Sequence, residues 1–329
     1  MHQFDTSIQW ADKAIAMDPK TSEAYGLLGD AAVEMGDYDV AFGHYQKMLD
    51  IRPDLSSYNR AGYLLFVTGE IQRAIDLMQK AIAAGAPFAE NTAWCRAELA
   101  NMLWRTGKLA AAEQVIHTGL EQTPHNDLLL AAMGKVKAAR NDYAAAIAAY
   151  EKAITISPRY NSLVALGDLY AYTGQPGKAA TQFKEVKKRH HLHHKNGIHG
   201  DILRARFYAD HDMQLSAALA EAQKAYQKYK NIFVADTLAW CYYKNGRYQS
   251  ARNVIEKVLR FQTPDPHIWF HAGMIYAKLG EQALARKHLK QALGLNSNFH
   301  PVYATVAKDT LKQLVARSSH NSDDRGAES

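Results

Sequence analysis

The sequence predicts an all-α fold, a right-handed superhelical solenoid of about eight helix–turn–helix repeats. The first observation behind this prediction is a set of turn residues that recur every 33 to 39 residues. Each follows an amphipathic helical stretch and precedes another, and a period of this size is typical of helical solenoids. Six markers are glycines (Gly36, Gly69, Gly107, Gly174, Gly246 and Gly280), and Asn141 and Met213 occupy the other two places.

The second observation is a set of small and aromatic residues at matching places within the repeats. In the first complete copy, which spans residues 22–54, these are Tyr25, Leu28, Gly29, Ala32, Ala41, Tyr45, Met48 and Pro53. We expect Gly29 and Ala41 to be small because the two helices of one repeat cross closely there. We expect Pro53 to end the second helix because proline cannot continue one.

The pattern continues along the chain and resembles the tetratricopeptide repeat family. In the fourth copy the same places hold Met133, Gly134, Tyr143, Ala146, Tyr150, Ala153 and Pro158. The sixth copy is the most degenerate, since it keeps Ala218 but has Ala205 and Arg206 where a Leu–Gly pair is expected. The resemblance covers nearly all of residues 4–300. The last two copies look like the C-terminal repeats of bacterial members without assigned activity, which points to a bacterial origin.

The ends of the array predict capping elements and a tail. Residues 4–19 predict a second helix of a repeat with no first helix before it, so this helix either caps the array or has lost its partner. Residues 300–317 predict one more helix, since a terminal repeat needs a cap with a polar outer face. Residues 318–329 are polar and predicted to be disordered. A stretched period and the Asn196–Gly197 turn signal divide the chain into an N-terminal array, 1–195, and a C-terminal array, 196–317.

The composition excludes several classes of protein. The 329 residues are 47% hydrophobic and 22% charged, which is ordinary globular usage. No apolar run approaches the roughly 18 residues of a transmembrane helix. The N-terminus lacks the form of a secretory signal, so we expect a cytoplasmic protein, or a periplasmic or exported one if a signal peptide precedes this chain.

Most of the net charge of +6 lies between Lys184 and Arg206, where seven basic residues accompany two acidic ones. A nucleic-acid-binding protein usually spreads its basic groups along a whole face, so nucleic acid is disfavoured as a partner. Single-stranded RNA stays a weaker alternative, because aromatic rings beside basic groups can stack bases.

The two cysteines, Cys95 and Cys241, are expected to be free core residues, since repeats of a solenoid contact only their neighbours.

A histidine-rich segment follows the fifth repeat. If the helix continues through it, His190 and His194 lie four residues apart on one face, a spacing that can chelate a divalent metal. The favoured interpretation is a solvated helix end, whose cationic groups suit the negative end of the helix dipole. We therefore predict no metal and no cofactor, with these two histidines as weak candidate ligands.

The resemblance implies that the first helix of each repeat lines a concave groove. Residues at the inward positions include large aromatic rings with a few polar neighbours, a composition that protein-binding surfaces favour. The candidate partner-binding residues are Asn59, Tyr63, Phe66, Trp94, Asn101, Trp104, Arg105, Asp168, Tyr172, Phe207, Phe233, Asp236, Trp240, Tyr243, Phe270 and Met274.

These features predict a non-catalytic scaffold or adaptor whose groove captures a peptide or amphipathic helix of a partner protein. The sequence has no phosphate-binding glycine loop, nucleophile elbow or cysteine pair at metal-ligand spacing, so no enzyme is predicted. The alternative is a structural subunit of a larger assembly, membrane-associated or of a secretion type. In that case a partner or a second copy of the chain covers the N-terminal edge.

Overall fold

The computed structural model of the chain describes residues 4–86, 88–195 and 201–326, and the regular structure in these ranges is entirely α-helical. The helices of the first half are α1 (Phe4–Met17), α2 (Ser22–Met35), α3 (Tyr38–Ile51), α4 (Leu55–Val67), α5 (Ile71–Ala84), α6 (Ala89–Arg105), α7 (Leu109–Gln122), α8 (Asp127–Ala139) and α9 (Tyr143–Ile156). Those of the second half are α10 (Tyr160–Tyr172), α11 (Pro176–Lys195), α12 (Asp201–Asp210), α13 (Leu215–Lys228), α14 (Ile232–Lys244), α15 (Tyr248–Leu259), α16 (Pro266–Lys278), α17 (Gln282–Leu295) and α18 (Pro301–Gly326).

Helices α2 to α17 form eight consecutive pairs, and the two helices of each pair pack against each other. Helix α1 packs on α2, and α18 packs on α16 and α17. This arrangement confirms the predicted all-α solenoid of about eight repeats. None of the helices in the described part of the chain combines the length and low polarity that crossing a bilayer requires.

The turn inside each pair depends on a residue with left-handed backbone geometry. The six predicted glycine markers have φ between +71° and +91°, and Asn141 has φ of +61°. In the sixth repeat the prediction of Met213 is wrong by one position, because Asp212 and Gln214 are the residues with positive φ there. Aspartate enters this region more readily than most side chains do, because its short polar group can bond locally.

Small residues let the helices of a pair cross closely, as the sequence predicts. Ala41 is fully buried, and Gly29 lies directly under the ring of Tyr45. A methyl group at Gly134 would lie 2.5 Å from Cε2 of Tyr150, well inside van der Waals contact. The recurring small residue therefore reflects a steric requirement of each crossing.

The two ends of the array agree only in part with the sequence prediction. The N-terminal helix is present as α1, close to the predicted range of 4–19. Helix α18 begins near the predicted cap but continues to Gly326, through most of the tail that was predicted to be disordered. The proposed boundary between arrays 1–195 and 196–317 falls on residues 196–200, outside the described residues.

Contacts between successive turns of the superhelix close the molecule. Loops that connect repeats in the second half of the chain form hydrogen bonds with turns inside repeats of the first half. The bonded residues are 159 to 197 positions apart in the sequence. We call the following set of contacts the clasp: Lys230 N to Glu34 O (3.1 Å), Asn231 Nδ2 to Glu34 Oε2 (2.7 Å), Ile232 N to Tyr38 Oη (2.8 Å), Thr263 Oγ1 to Val67 O (2.6 Å), Asn296 Nδ2 to Trp104 O (2.8 Å) and Asn298 Nδ2 to Ala139 O (3.1 Å).

At the clasp, the backbones of two superhelical turns lie close together, and the surroundings of Gly36 show how short the distance between them is. A methyl group at Gly36 would lie 2.6 Å from the carbonyl oxygen of Lys230, so the glycine serves both its left-handed turn and this approach.

Beneath the clasp, one hydrophobic cluster contains Tyr38 and Tyr45 of the first repeat together with Trp240 and Leu314. Repeats of an open solenoid contact only their neighbours, so this closure departs from the geometry that the sequence predicts. The two cysteines are nevertheless buried and free, as expected.

Candidate functional site: two cavities along the superhelix axis

The closed superhelix contains two cavities on its inner surface. The larger, which we call the N-terminal cavity, has a volume of about 760 Å³ and lies among α1, α2, α4, α6 and the start of α14. The smaller, the inner cavity, has a volume of about 310 Å³ and lies among α6, α8, α10, α12 and residues 265–303. Arg105 lines both cavities and therefore marks the wall between them.

Arg105 joins the two halves of the chain at this wall. Its Nε lies 3.3 Å from Oδ2 of Asp265, and its guanidinium lies 5.9 Å and 5.8 Å from the ring centres of Phe66 and Phe233. Burial alone would raise the pKa of the Asp265 carboxyl, but Arg105 holds that pKa well below its usual range. Arg105, a predicted partner-binding residue, is therefore already engaged in an ion pair within the protein.

A polar network fills the interior between α12, α14 and α16. Arg206 pairs with Asp210 at 2.8 Å and with Asp236 at 3.0 Å, and Asp236 also pairs with His271 at 2.8 Å. Trp240 Nε1 donates a hydrogen bond to Asp210 at 2.8 Å. Burial raises the pKa of Asp210, but the opposing charge of Arg206 outweighs burial and lowers this pKa to about 2. These charges are matched internally, as buried charges must be.

Asp168 links three helices on the opposite side of the inner cavity. Its carboxylate lies 2.8 Å from Nε2 of His211 on α12 and 3.8 Å from Nε2 of His300, beside α18. Burial lowers the pKa of His211, but the hydrogen bond and charge of Asp168 outweigh burial and raise it. The same two histidines lower the pKa of Asp168 against its own burial.

The structure divides the predicted partner-binding residues among several environments. Five line the N-terminal cavity, namely Asn59, Tyr63, Trp94, Arg105 and Phe233. Four line the inner cavity, namely Trp104, Arg105, Asp168 and Phe207. Four others, outside both linings, are at most 3% exposed, namely Phe66, Asp236, Trp240 and Phe270. The remaining four, Asn101, Tyr172, Tyr243 and Met274, lie outside the linings of both cavities. Among the described residues, the predicted set is therefore divided between two cavities and the interior.

The burial of Trp240 and Phe270 has a clear structural cause. The ring of Tyr303, on α18, stacks on Phe270 at 4.9 Å and meets the edge of Trp240 at 6.1 Å. Its hydroxyl donates a hydrogen bond to Asp210 at 2.8 Å. The C-terminal helix thus occupies the part of the inner surface that a partner was predicted to occupy.

Most residues of the inner cavity were missed by the sequence prediction, among them Lys135, Tyr160, His267 and Tyr303. Lys135 lies next to the small residue Gly134 on the first helix of its repeat, the helix that the resemblance assigns to the inner wall. That assignment could have identified it. His267 and Tyr303 reach the cavity only because the superhelix closes, and no local pattern indicates this closure.

The histidine-rich segment lies partly in the described region. Helix α11 runs through both His190 and His194, so their four-residue spacing is helical as predicted. The His190 ring is 5% exposed and packs against Tyr160, Phe207 and Tyr208, with ring centres 5.0 to 6.1 Å away. The side chain of His194 lies outside the described side chains. Among the described residues, no three His, Cys, Asp or Glu side chains form a metal-binding group.

The chain is similar in fold to solved structures of other proteins. A chain of the APC/C hetero-tetramer Cut9–Hcn1 superposes with a TM-score of 0.51 and 18% identity, covering 95% of this chain and 60% of that one. The present chain therefore spans less than two thirds of that protein. A tetratricopeptide repeat protein from Parabacteroides merdae superposes with a TM-score of 0.44 and 17% identity, covering 79% and 98% of the two chains. No curated protein sequence matches the chain.

The family assignment rests on the sequence of the repeats themselves. The family model of the tetratricopeptide repeat matches residues 1–56, 97–161 and 237–298, more than half of the chain. The unmatched stretches include the degenerate sixth repeat, where Ala205 and Arg206 replace the usual pair. With its eight helix pairs and their left-handed turns, this chain belongs to the tetratricopeptide repeat family.

Proposed function

We propose that this protein is a non-catalytic binding module whose N-terminal cavity captures a segment of a partner protein. Membership of a family of protein-interaction scaffolds supports the general role. The observation that carries the proposal is the cavity of about 760 Å³, since it combines a large volume with exposed apolar side chains. Trp94 on its wall is 40% exposed and Leu27 is 45% exposed, an unusual exposure for such large side chains.

The polar groups of the N-terminal cavity indicate the chemistry of the captured segment. Asp30 is paired with Arg60 at 2.9 Å, Glu34 accepts a hydrogen bond from Asn231, and the wall also carries the carboxylate of Glu98. The side-chain oxygen of Asn59 is a buried acceptor with no hydrogen-bond partner among the described residues. Carboxylates and an open acceptor favour donors, so the segment is expected to carry an apolar anchor beside a basic side chain.

Selection from a display library of random peptides tests this proposal. Wild-type protein is expected to enrich peptides that share an apolar residue next to lysine or arginine. The Trp94→Ala variant should bind the enriched peptides about tenfold or more weakly, because buried aromatic anchors dominate such interfaces. The matched control is Trp10→Ala, since Trp10 is 64% exposed on α1 and lies outside the cavity lining. Equal binding by wild type and Trp94→Ala would overturn the proposal.

A second candidate function is that of a subunit whose N-terminal edge is covered by another protein or a second copy. The observation that favours it is the exposure of large apolar side chains on α1, where Trp10 is 64% and Met17 is 88% exposed. The same pair of variants separates the two functions. If peptide binding or self-association is lost in Trp10→Ala and kept in Trp94→Ala, the edge of α1 is the interaction surface.

A further inference from the structure

The inner cavity has the size and lining of a small-molecule site. Its volume of about 310 Å³ falls at the lower end of the range of about 300–1,000 Å³ that is typical of ligand pockets. Aromatic rings form much of its wall, including those of Trp104, Tyr160, Phe207 and Tyr303. Such rings suit a flat or aliphatic ligand body of modest size.

Lys135 differs from the other charged side chains on the wall. Arg105 and Arg206 are each held by a carboxylate at 3.3 Å or less. Lys135 Nζ instead donates to the amide oxygen of Asn101 at 2.7 Å, and no carboxylate of the described side chains lies within ion-pair distance of it. An ammonium group has three donors, so two remain for a ligand.

The surroundings of Lys135 make its charge costly in the empty cavity. Burial is the main cause that lowers the pKa of Lys135, and the charge of Arg105 lowers it further. Glu98 and Asp265 raise this pKa in part, and the net effect lowers it to about 8. The ring centre of Trp104 lies 5.5 Å from Nζ. A ligand anion would supply both a hydrogen-bond acceptor and an opposite charge for the ammonium group. Such charge-assisted hydrogen bonds are stronger than hydrogen bonds between neutral groups.

We propose that the inner cavity binds a small organic carboxylate with an apolar body, its carboxylate on Lys135 Nζ and its body against the aromatic wall. This site is distinct from the N-terminal cavity, because the Arg105–Asp265 pair lies between the two. The ligand is a free small molecule of the size of a bicyclic aromatic or medium-chain acid. The site could therefore be occupied whether or not a partner segment fills the N-terminal cavity.

The test uses 1-naphthoate as the probe and 1-naphthamide as its uncharged counterpart of nearly the same shape. In titration calorimetry at about pH 7, wild-type protein is expected to bind naphthoate once per chain and at least about tenfold more tightly than naphthamide. Lys135→Gln should remove this preference while leaving naphthamide binding unchanged. The control is Lys137→Gln, two residues along α8, whose ammonium pairs with Glu113 at 2.6 Å instead of facing the cavity. It should retain the preference.

A second measurement needs no variant. Between about pH 7 and pH 9, Lys135 loses its proton, so wild-type affinity for naphthoate should fall about tenfold while that for naphthamide stays constant. The charged groups that face Lys135 are Arg105, Glu98 and Asp265, and the uncharged probe shows whether the cavity itself changes over this interval. Any of three results would overturn the proposal. Naphthoate would show no saturable binding, the two probes would bind with equal affinity, or the two lysine variants would lose the preference for naphthoate to the same extent.

Discussion

Single glycines in the first helix of a repeat control how closely that repeat can pack. A methyl group at Gly134 would lie 2.5 Å from Cε2 of Tyr150, whose ring is 3% exposed. We predict that Gly134→Ala destabilises the protein by about 1–3 kcal/mol, the usual cost of overpacking a core. The free energy of unfolding in urea measures this loss.

Gly43 provides the matched control on the second helix of the first repeat. It is exposed, and a methyl group there would meet no atom within 4 Å. Gly43→Ala should therefore stabilise the protein by about 0.5–1 kcal/mol, because alanine loses less backbone entropy in a helix. If both substitutions shift stability in the same direction, the steric explanation for the recurring small residues of this chain fails.

The turn residues, and the small residues where the two helices of a repeat cross, could be predicted from the sequence. Both depend only on the backbone geometry and packing within one repeat. A left-handed turn favours glycine or asparagine, and Asn141 adopts this geometry as predicted. The functional assignment of Asp236 and Trp240 could not be settled locally. Their places in the repeat indicate that they face the axis, but the repeat does not indicate that Arg206 and Tyr303 already fill that space.

Between elements, the pair α16–α17 contains a buried histidine that couples stability to pH. His288 on α17 stacks between Trp269 and Tyr276 of α16, with ring centres 5.5 Å and 5.2 Å away. Its Nδ1 has no hydrogen-bond partner among the described residues. Burial, assisted by the charge of Lys287, lowers the pKa of His288 from 6.5 to about 4. The folded protein therefore favours the neutral ring.

This shift predicts a loss of stability in mild acid. Because the folded pKa is the lower one, the contribution of His288 is complete above about pH 6.5 and declines as the pH falls toward 4. His288→Phe keeps a ring in the stack but cannot titrate, so its unfolding free energy should fall about 2 kcal/mol less than that of wild type between pH 7 and 4.5. Urea unfolding at the two pH values measures this, with exposed His117→Phe on α7 as control. Identical pH dependence in wild type and His288→Phe would exclude this role.

At the scale of the whole molecule, closure of the superhelix decides what the inner surface can bind. Repeat number and helix pairing follow from local periodicity, and both were predicted correctly. The clasp joins residues up to 197 positions apart, through side chains such as Asn231 that also serve local turns. A pattern that recurs every 34 residues or so describes each repeat but carries no information about contacts one superhelical turn away.

The clasp should make the unfolding of this array more cooperative than that of an open solenoid. Open arrays are stabilised by neighbours alone, so their repeats can unfold in stages. Thr263 and Asn296, which are 2% and 3% exposed, each donate a side-chain hydrogen bond across the clasp. We predict that Thr263→Val/Asn296→Ala splits a single urea transition into at least two, and that the radius of gyration in small-angle X-ray scattering increases.

The control for this last prediction is a bond of the same chemistry between adjacent repeats. Asn245 Nδ2 donates to the carbonyl oxygen of Leu215 at 2.9 Å, in the neighbouring pair, so Asn245→Ala removes a half-buried side-chain donor without touching the clasp. It should lower stability by about 1–2 kcal/mol while leaving one transition and an unchanged radius of gyration. If the clasp variant behaves like this control, the inter-turn hydrogen bonds do not hold the superhelix closed. The inner and N-terminal cavities would then owe their shape to the shared hydrophobic cluster alone.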